Sequence, residues 1–196
     1  MKDQVNELLL QAVETEMGGV QIYQTALGCA INADLKEEWE KYLDQTKRHV
    51  EVVSELCDKL GVDPDEETPG RKVVRHIGES LVKAMQMAQE SGEPEAAQLV
   101  ACECVVLAET KDHANWQLMS QLAKNSKGKT AQALEEACKE VEDQEDTHLY
   151  HTMGWARELW IKSLGMKAVL PPPEEEKNVK TAIGAAKAQH ARKSML

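Results

Sequence analysis

The chain has 196 residues, a formal net charge of −11 and no Phe, and its commonest residues are good helix formers. The negative charge disfavours nucleic acid and anionic lipid as partners, and no segment approaches the roughly 20 apolar residues that cross a bilayer. Five scattered cysteines favour free thiols over a disulfide framework, and acidic residues interrupt the N-terminal apolar stretch, which is unlike a signal peptide. We therefore expect a cytoplasmic, all-α protein that binds neither nucleic acid nor membranes.

Apolar residues recur in alternating steps of three and four along five segments, which predicts five helices. The first two are long, span residues 5–30 and 35–60, and are joined by a short link. The breaker "GVDPDEETPG" (61–70) then precedes a shorter amphipathic helix over 71–91. Two more long helices are predicted on either side of the turn "KNSKGKT" (124–130).

Four long helices with one apolar seam each can bury those seams only against one another, which predicts a four-helix bundle. Short links make two antiparallel hairpins, and the long crossover between them, which carries the extra helix, is of the kind that ferritin-like folds use. The bundle domain is predicted over 1–165, with related halves at 1–62 and 93–165. A Pro-rich linker and a basic tail occupy 166–196. We expect this tail to be a weak helix docked by charge, with disorder as the alternative.

Polar residues interrupt the predicted seams near the middle of each long helix. An unpaired buried carboxylate is costly, several converging carboxylates repel each other, and no Lys or Arg lies on the central seam positions. Divalent metal ions would balance this charge, whereas a hydrogen-bonded polar layer without metal is the alternative. The seam positions in question are Glu16, Thr46, His49, Glu109, His113, Glu145 and His148.

Four of these positions lie in two hexapeptides that echo each other, "DQTKRH" (44–49) and "DQEDTH" (143–148), both D-Q-x-x-x-H. The second carries Glu145 three residues before its histidine, and the first carries Thr46 in that place. A Glu and a His three residues apart share one face of a helix. The echo therefore indicates two related parts, one of them altered.

The two remaining helices each contribute one seam glutamate, Glu16 and Glu109. An aromatic residue follows each of them by seven positions, Tyr23 and Trp116 respectively. Single glutamates from two helices and Glu-x-x-His from the other two make the ligand pattern of di-iron and di-manganese carboxylate proteins. The spacing therefore favours a metal centre inside the predicted bundle.

With this ligand pattern, the chain resembles the ferritin-like superfamily over roughly residues 5 to 160. The motifs "ETEMGGVQIY" and "DQTKRH" are similar to the first two helices of rubrerythrins and bacterioferritins. The closer likeness is to the YciF-like branch, a stress-associated bacterial group, through "DLKEEWEKYLDQTKRHVEVVSELCDKLG", "LAETKDHANWQLMSQLAK" and "VEDQEDTH". The resemblance implies metal-ligand roles for Glu16, His49, Glu109, Glu145 and His148.

Thr46 departs from the ferritin and rubrerythrin pattern, in which a bridging glutamate would occupy that position. A threonine hydroxyl stays protonated and is a poor metal ligand, so the site has one bridge fewer. We hypothesise that His113, one turn from Glu109, partly compensates as a neutral ligand. The site would then hold one metal ion firmly and a second one weakly.

Two functions are consistent with the sequence. In the first, the chain binds one or two iron or manganese ions, and the resemblance implies an oxidase or peroxidase-type redox role in stress defence. In the second, it is a metal-free helical scaffold or partner-binding protein of the same fold. Whether the protein is an enzyme stays open, and we expect a homo-oligomer, in the first place a dimer.

Overall fold

The computed structural model describes residues 2–167, and these residues form helices with no strand. The predicted all-α class is confirmed. The prediction of a docked C-terminal tail falls on residues outside the described part of the chain. The five helices are α1 (Lys2–Cys29), α2 (Ala33–Leu60), α3 (Pro69–Glu90), α4 (Pro94–Asn125) and α5 (Gly128–Ser163).

Local sequence signals explain where the helices begin and end. Asn32 caps α2, because its side-chain oxygen accepts hydrogen bonds from the backbone N–H groups of Asp34 and Leu35. Gly61 ends α2 in the left-handed conformation, with φ of 70°. Thr68 caps α3, and the prolines that open α3 and α4 suit a first turn, where no N–H is needed. The crossover helix predicted at 71–91 is thus observed at Pro69–Glu90.

The four long helices, α1, α2, α4 and α5, share two apolar clusters. One cluster joins the beginnings of α1 and α5 to the ends of α2 and α4, and includes Leu9, Val53 and Trp116. The other joins the opposite ends of the same helices, and includes Trp39 and Trp155. Helices that are neighbours in the chain therefore run antiparallel within each pair. All five cysteines are free thiols, as the sequence favoured, and all are buried in these clusters.

Helix α3 runs parallel to α1 along its length. Near its beginning, the Nε atom of Arg71 lies 2.6 Å from Oε2 of Glu14. Further along, Gly78 lies against Gly18, and near its end Gln89 lies beside Gly28. The crossover thereby carries the chain back along the molecule between the two hairpins. None of the helices within residues 2–167 combines the length and apolar character that crossing a membrane requires.

Between the two apolar clusters lies a layer of buried polar residues. In α1 the clusters are interrupted between Val13 and Ile22, and in α4 between Val105 and Trp116. Helices α2 and α5 are interrupted at matching depths. The polar seam positions of the sequence fall inside these gaps, so the fold brings them to one level.

A candidate metal centre

Each long helix contributes at least one ionisable side chain to the polar layer. These side chains are almost completely buried, with exposed fractions of 0% for Glu16 and His148 and 4% for Asp112. Five of the six residues predicted as ligands meet here, and Asp112 joins them. The set is Glu16 from α1, His49 from α2, Glu109 and Asp112 from α4, and Glu145 and His148 from α5.

Glu145 lies at the middle of this set. Its Oε1 atom is 2.8 Å from Nδ1 of His49 and 3.5 Å from Nδ1 of His148. The same two ring nitrogens lie 3.7 Å from Glu16 Oε2 and from Glu109 Oε2, respectively. One ligand atom from each of His49, Glu145 and His148 lies within 4.8 Å of the others, close enough to bind one ion together.

Most of the atoms that face each other here make no hydrogen bond. Oε2 of Glu16, Oε2 of Glu109 and both carboxylate oxygens of Glu145 are buried without a hydrogen-bond partner among the described residues. The Nδ1 atoms of His49 and His148 also make no hydrogen bond, although Nδ1 of His49 lies 2.8 Å from Oε1 of Glu145. Buried polar atoms are normally satisfied, so a group of them converging on one place indicates a ligand. Divalent cations fit these oxygen and imidazole donors.

The other ring nitrogen of each histidine is held by a glutamine. Nε2 of His49 donates a hydrogen bond to Oε1 of Gln144 at 3.0 Å, and Nε2 of His148 donates to Oε1 of Gln45 at 3.0 Å. A proton on Nε2 leaves the lone pair of the neutral ring on Nδ1, the atom that faces the carboxylates. Metal-binding histidines are commonly oriented by such a second hydrogen bond.

Aromatic side chains close the layer from both ends. The indole Nε1 of Trp116 donates a hydrogen bond to Oε1 of Glu16 at 2.7 Å. The ring of Tyr42 lies against that of His148, with 4.4 Å between centroids. Burial, together with the charge of Glu109, raises the pKa of Tyr23 well above its ordinary value. The aromatic residue of each half thus interacts with the single glutamate of the other half.

The charges of the layer shift the pKa values of its members. Burial opposes protonation of His49, but Glu145 and Glu16 outweigh this effect and raise its pKa to about 10. Burial and the neighbouring carboxylates raise the pKa of Glu145 and of Asp112 well above the usual range. The layer therefore retains protons at neutral pH until another positive charge replaces them.

Thr46 adds no ligand atom to the centre. Its hydroxyl donates a hydrogen bond to the backbone oxygen of Tyr42 at 2.9 Å, one turn back in α2. Its methyl group lies so near Gly19 that a Cβ at that glycine would be 3.1 Å from it. Gly19 on α1 and Thr46 on α2 are small, so these helices approach each other closely here. In the ferritin and rubrerythrin pattern, a bridging glutamate occupies the position of Thr46.

The structure places His113 outside the cluster, although it lies next to Asp112 in the chain. Its Nδ1 atom is 3.3 Å from a carboxylate oxygen of Asp146, and its Nε2 atom accepts a hydrogen bond from Gln117. Asp112 and His113 are three and four residues beyond Glu109, and both steps satisfy the spacing of a helical seam. Asp112, three residues after Glu109, points into the polar layer. His113, four residues after Glu109, points beside the layer.

Three residues of this centre were not predicted from the sequence. Asp112 was detectable as an acidic residue three positions after Glu109, on the same side of the helix. Gln45 and Gln144 were present in the repeated hexapeptides, as the second letter of D-Q-x-x-x-H. Each glutamine lies four positions before the histidine of its own helix and holds the histidine of the other helix.

Comparisons of the chain with protein-family models, with curated proteins and with solved structures found no match. The ferritin-like resemblance therefore stays a prediction from short motifs. A metal-binding role is therefore inferred from the geometry of the buried side chains alone.

Proposed function

We propose that this chain is a metalloprotein with a ferritin-like four-helix bundle, and that it binds iron or manganese between its four long helices. The observation that carries the proposal is the convergence of unpartnered Nδ1 and carboxylate atoms from His49, Glu145 and His148. Glu109 Oε2 lies 3.7 Å from His148 Nδ1 and completes this ligand set. Mixed imidazole and carboxylate donors suit first-row divalent ions.

Electrostatics supports a cation in this place. Three glutamates and one aspartate meet in the layer, and the charge of Lys111 lowers the pKa of Asp112 too little to offset burial and the other carboxylates. Without the protons that the layer retains, this buried charge would destabilise the fold by several kcal/mol per ion, a large part of the stability of a small domain. A divalent ion converts this repulsion into attraction, and so accounts for a layer that would otherwise be costly to maintain.

We propose a redox role for the centre, of the oxidase or peroxidase type and serving stress defence. Bound iron or manganese would supply one-electron redox chemistry. The residues of the chain would hold and shield the ion: Gln45 and Gln144 orient the histidines, while Trp116 and Tyr42 cover the ligands. A water-excluded site of this kind strengthens electrostatic interactions with whatever binds there.

The redox role is tested by loading chelator-treated protein with Fe(II) or Mn(II) and measuring hydrogen peroxide consumption. We expect consumption by the loaded wild type, and loss of both the ion and the activity in Glu145→Ala. Glu140→Ala is the matched control, since Glu140 lies on the same helix and is exposed. A protein that stays folded, binds neither ion and ignores peroxide would contradict the proposal and favour a metal-free scaffold.

A further inference from the structure

Glu145 also belongs to a second group of possible ligand atoms. One oxygen from each of Glu16, Asp112 and Glu145 lies within 4.8 Å of the others. The three side chains come from three different helices, α1, α4 and α5, and each is at least nine-tenths buried. This group contains no histidine, whereas the group around His49 and His148 is rich in nitrogen.

Each residue of this second group has at least one carboxylate oxygen that makes no hydrogen bond with the described residues. Oε2 of Glu16, Oδ1 of Asp112 and both oxygens of Glu145 have no hydrogen-bond partner among the described residues. Glu16 is held in place through its other oxygen, which accepts the hydrogen bond from Trp116. Its free oxygen is therefore presented towards the layer by a fixed side chain. Orphaned carboxylate oxygens in this arrangement are what a hard cation binds.

We infer that Glu16, Asp112 and Glu145 form a second, all-carboxylate cation site, and that Glu145 bridges it to the site of the two histidines. Asp112 then supplies, from α4, the oxygen that the hexapeptide of α2 lacks at Thr46. This inference rests on the proposed metal function, because the two sites share Glu145.

The two sites differ in ligand chemistry, so they differ in the ion that each prefers. Three carboxylates suit manganese or magnesium, which favour oxygen donors, whereas the two imidazoles favour iron or zinc. The missing bridge at Thr46 has thus produced an asymmetric pair of sites rather than a weaker copy of one site. Mixed loading with two different ions follows from this asymmetry.

The competing arrangement is a shared proton. Asp112 and Glu16 lie close enough for one carboxyl group to donate a hydrogen bond to the other when one of them is protonated. Glu109, Glu145 and Lys111 are the other charged groups that act on Asp112. Asp112→Asn separates the two arrangements, because an amide can still donate a hydrogen bond but cannot supply the anionic oxygen that the cation needs.

The test is a count of bound Mn(II) after metal-free protein has been dialysed against excess Mn(II). We expect two ions per chain in the wild type, one in Asp112→Asn, and two in the control Asp44→Asn, which removes an exposed carboxylate from α2. Equal counts in the wild type and Asp112→Asn would overturn the inference and leave the proposed function standing. A wild type that binds neither Mn(II) nor, in a parallel dialysis, Fe(II) would instead overturn the proposed function itself.

Electron paramagnetic resonance of the wild type provides a second test, which requires no variant. Two Mn(II) ions that shared Glu145 would be close enough to couple magnetically, since the ions of two-metal sites are about 3.5–4 Å apart. The fully loaded wild type should therefore lose the six-line electron paramagnetic resonance signal of an isolated Mn(II) ion. A full six-line signal from two bound ions would contradict a bridge through Glu145.

Discussion

Gln144 on α5 accepts a hydrogen bond from Nε2 of His49 on α2, across 3.0 Å. The same relationship runs in the other direction, from His148 on α5 to Gln45 on α2. The two echoing hexapeptides therefore interlock, since the glutamine of each one holds the histidine of the other. This exchange aims both Nδ1 atoms at Glu145.

Replacing Gln144 with Ala should weaken metal binding about 10–100-fold, because His49 loses the partner that fixes its ring and tautomer. The affinity is measured by competition between the protein and a fluorescent chelator. Gln117→Ala is the matched control, since Gln117 also hydrogen-bonds a histidine, His113, but outside the cluster. An equal loss of affinity in both variants would show that the glutamine contact has no specific role.

His113→Ala should leave the number of bound ions unchanged, because His113 contacts Asp146 and Gln117 rather than the central carboxylates. His148→Ala should lose at least one ion. Metal analysis of both variants after loading decides whether His113 is a ligand of the metal centre or lies outside it. A lower ion count in His113→Ala would restore the sequence-based hypothesis that this histidine is a ligand.

Metal affinity should rise with pH between about 5 and 8, and binding should release protons. Affinity should rise rather than fall because, in the metal-free protein, the pKa of His49 is raised to about 10 and those of Glu145 and Asp112 are raised as well. All three groups hold protons that an ion must displace, and a lower proton concentration makes that displacement easier. Calorimetric titrations in buffers of different ionisation enthalpy measure the released protons, and binding without proton release would contradict this account.

Glu14→Gln should destabilise the fold by about 3–5 kcal/mol at neutral pH, because it leaves Arg71 buried without its carboxylate. Burial raises the pKa of Glu14, but hydrogen bonds from Arg75 and Arg71 outweigh it and hold the pKa below the ordinary 4.5. The contribution is therefore present above pH 4.5 and is lost as the pH falls through the folded-state value.

Urea unfolding of the Glu14→Gln variant at pH 7 and at pH 3 measures this contribution. The difference from the wild type should be large at pH 7 and should shrink at pH 3. Glu67→Gln serves as control, since Glu67 pairs with Arg75 at the surface and should matter much less. A difference that does not change with pH would assign the effect to packing rather than to charge.

The long helices, and the depth at which their polar residues meet, could be predicted from the sequence, because seam spacing follows directly from helix geometry. The choice between Asp112 and His113 could not. Both residues lie about one turn beyond Glu109. At about 100° per residue, Asp112 falls short of a full turn and His113 goes past it, so viewed along the helix axis they flank Glu109 on either side. The rotation of α4 decides between them, and contacts across the core fix it, such as the hydrogen bond from Trp116 to Glu16.

The glutamines illustrate a second limit of sequence reasoning. Gln45 and Gln144 share a face with the histidine of their own helix, which suggests a local role. Their hydrogen bonds instead cross between α2 and α5. Such pairing depends on how two antiparallel helices align in depth, which no pattern within a single helix specifies.

The central claim is that the buried histidines and carboxylates bind a metal ion, and metal analysis of protein purified without chelator tests it most directly. One or two iron or manganese ions per chain are predicted for the wild type and for Glu140→Ala, with loss in Glu145→Ala. A folded wild type that carries no metal, and takes up none when Fe(II) or Mn(II) is added, would contradict the account.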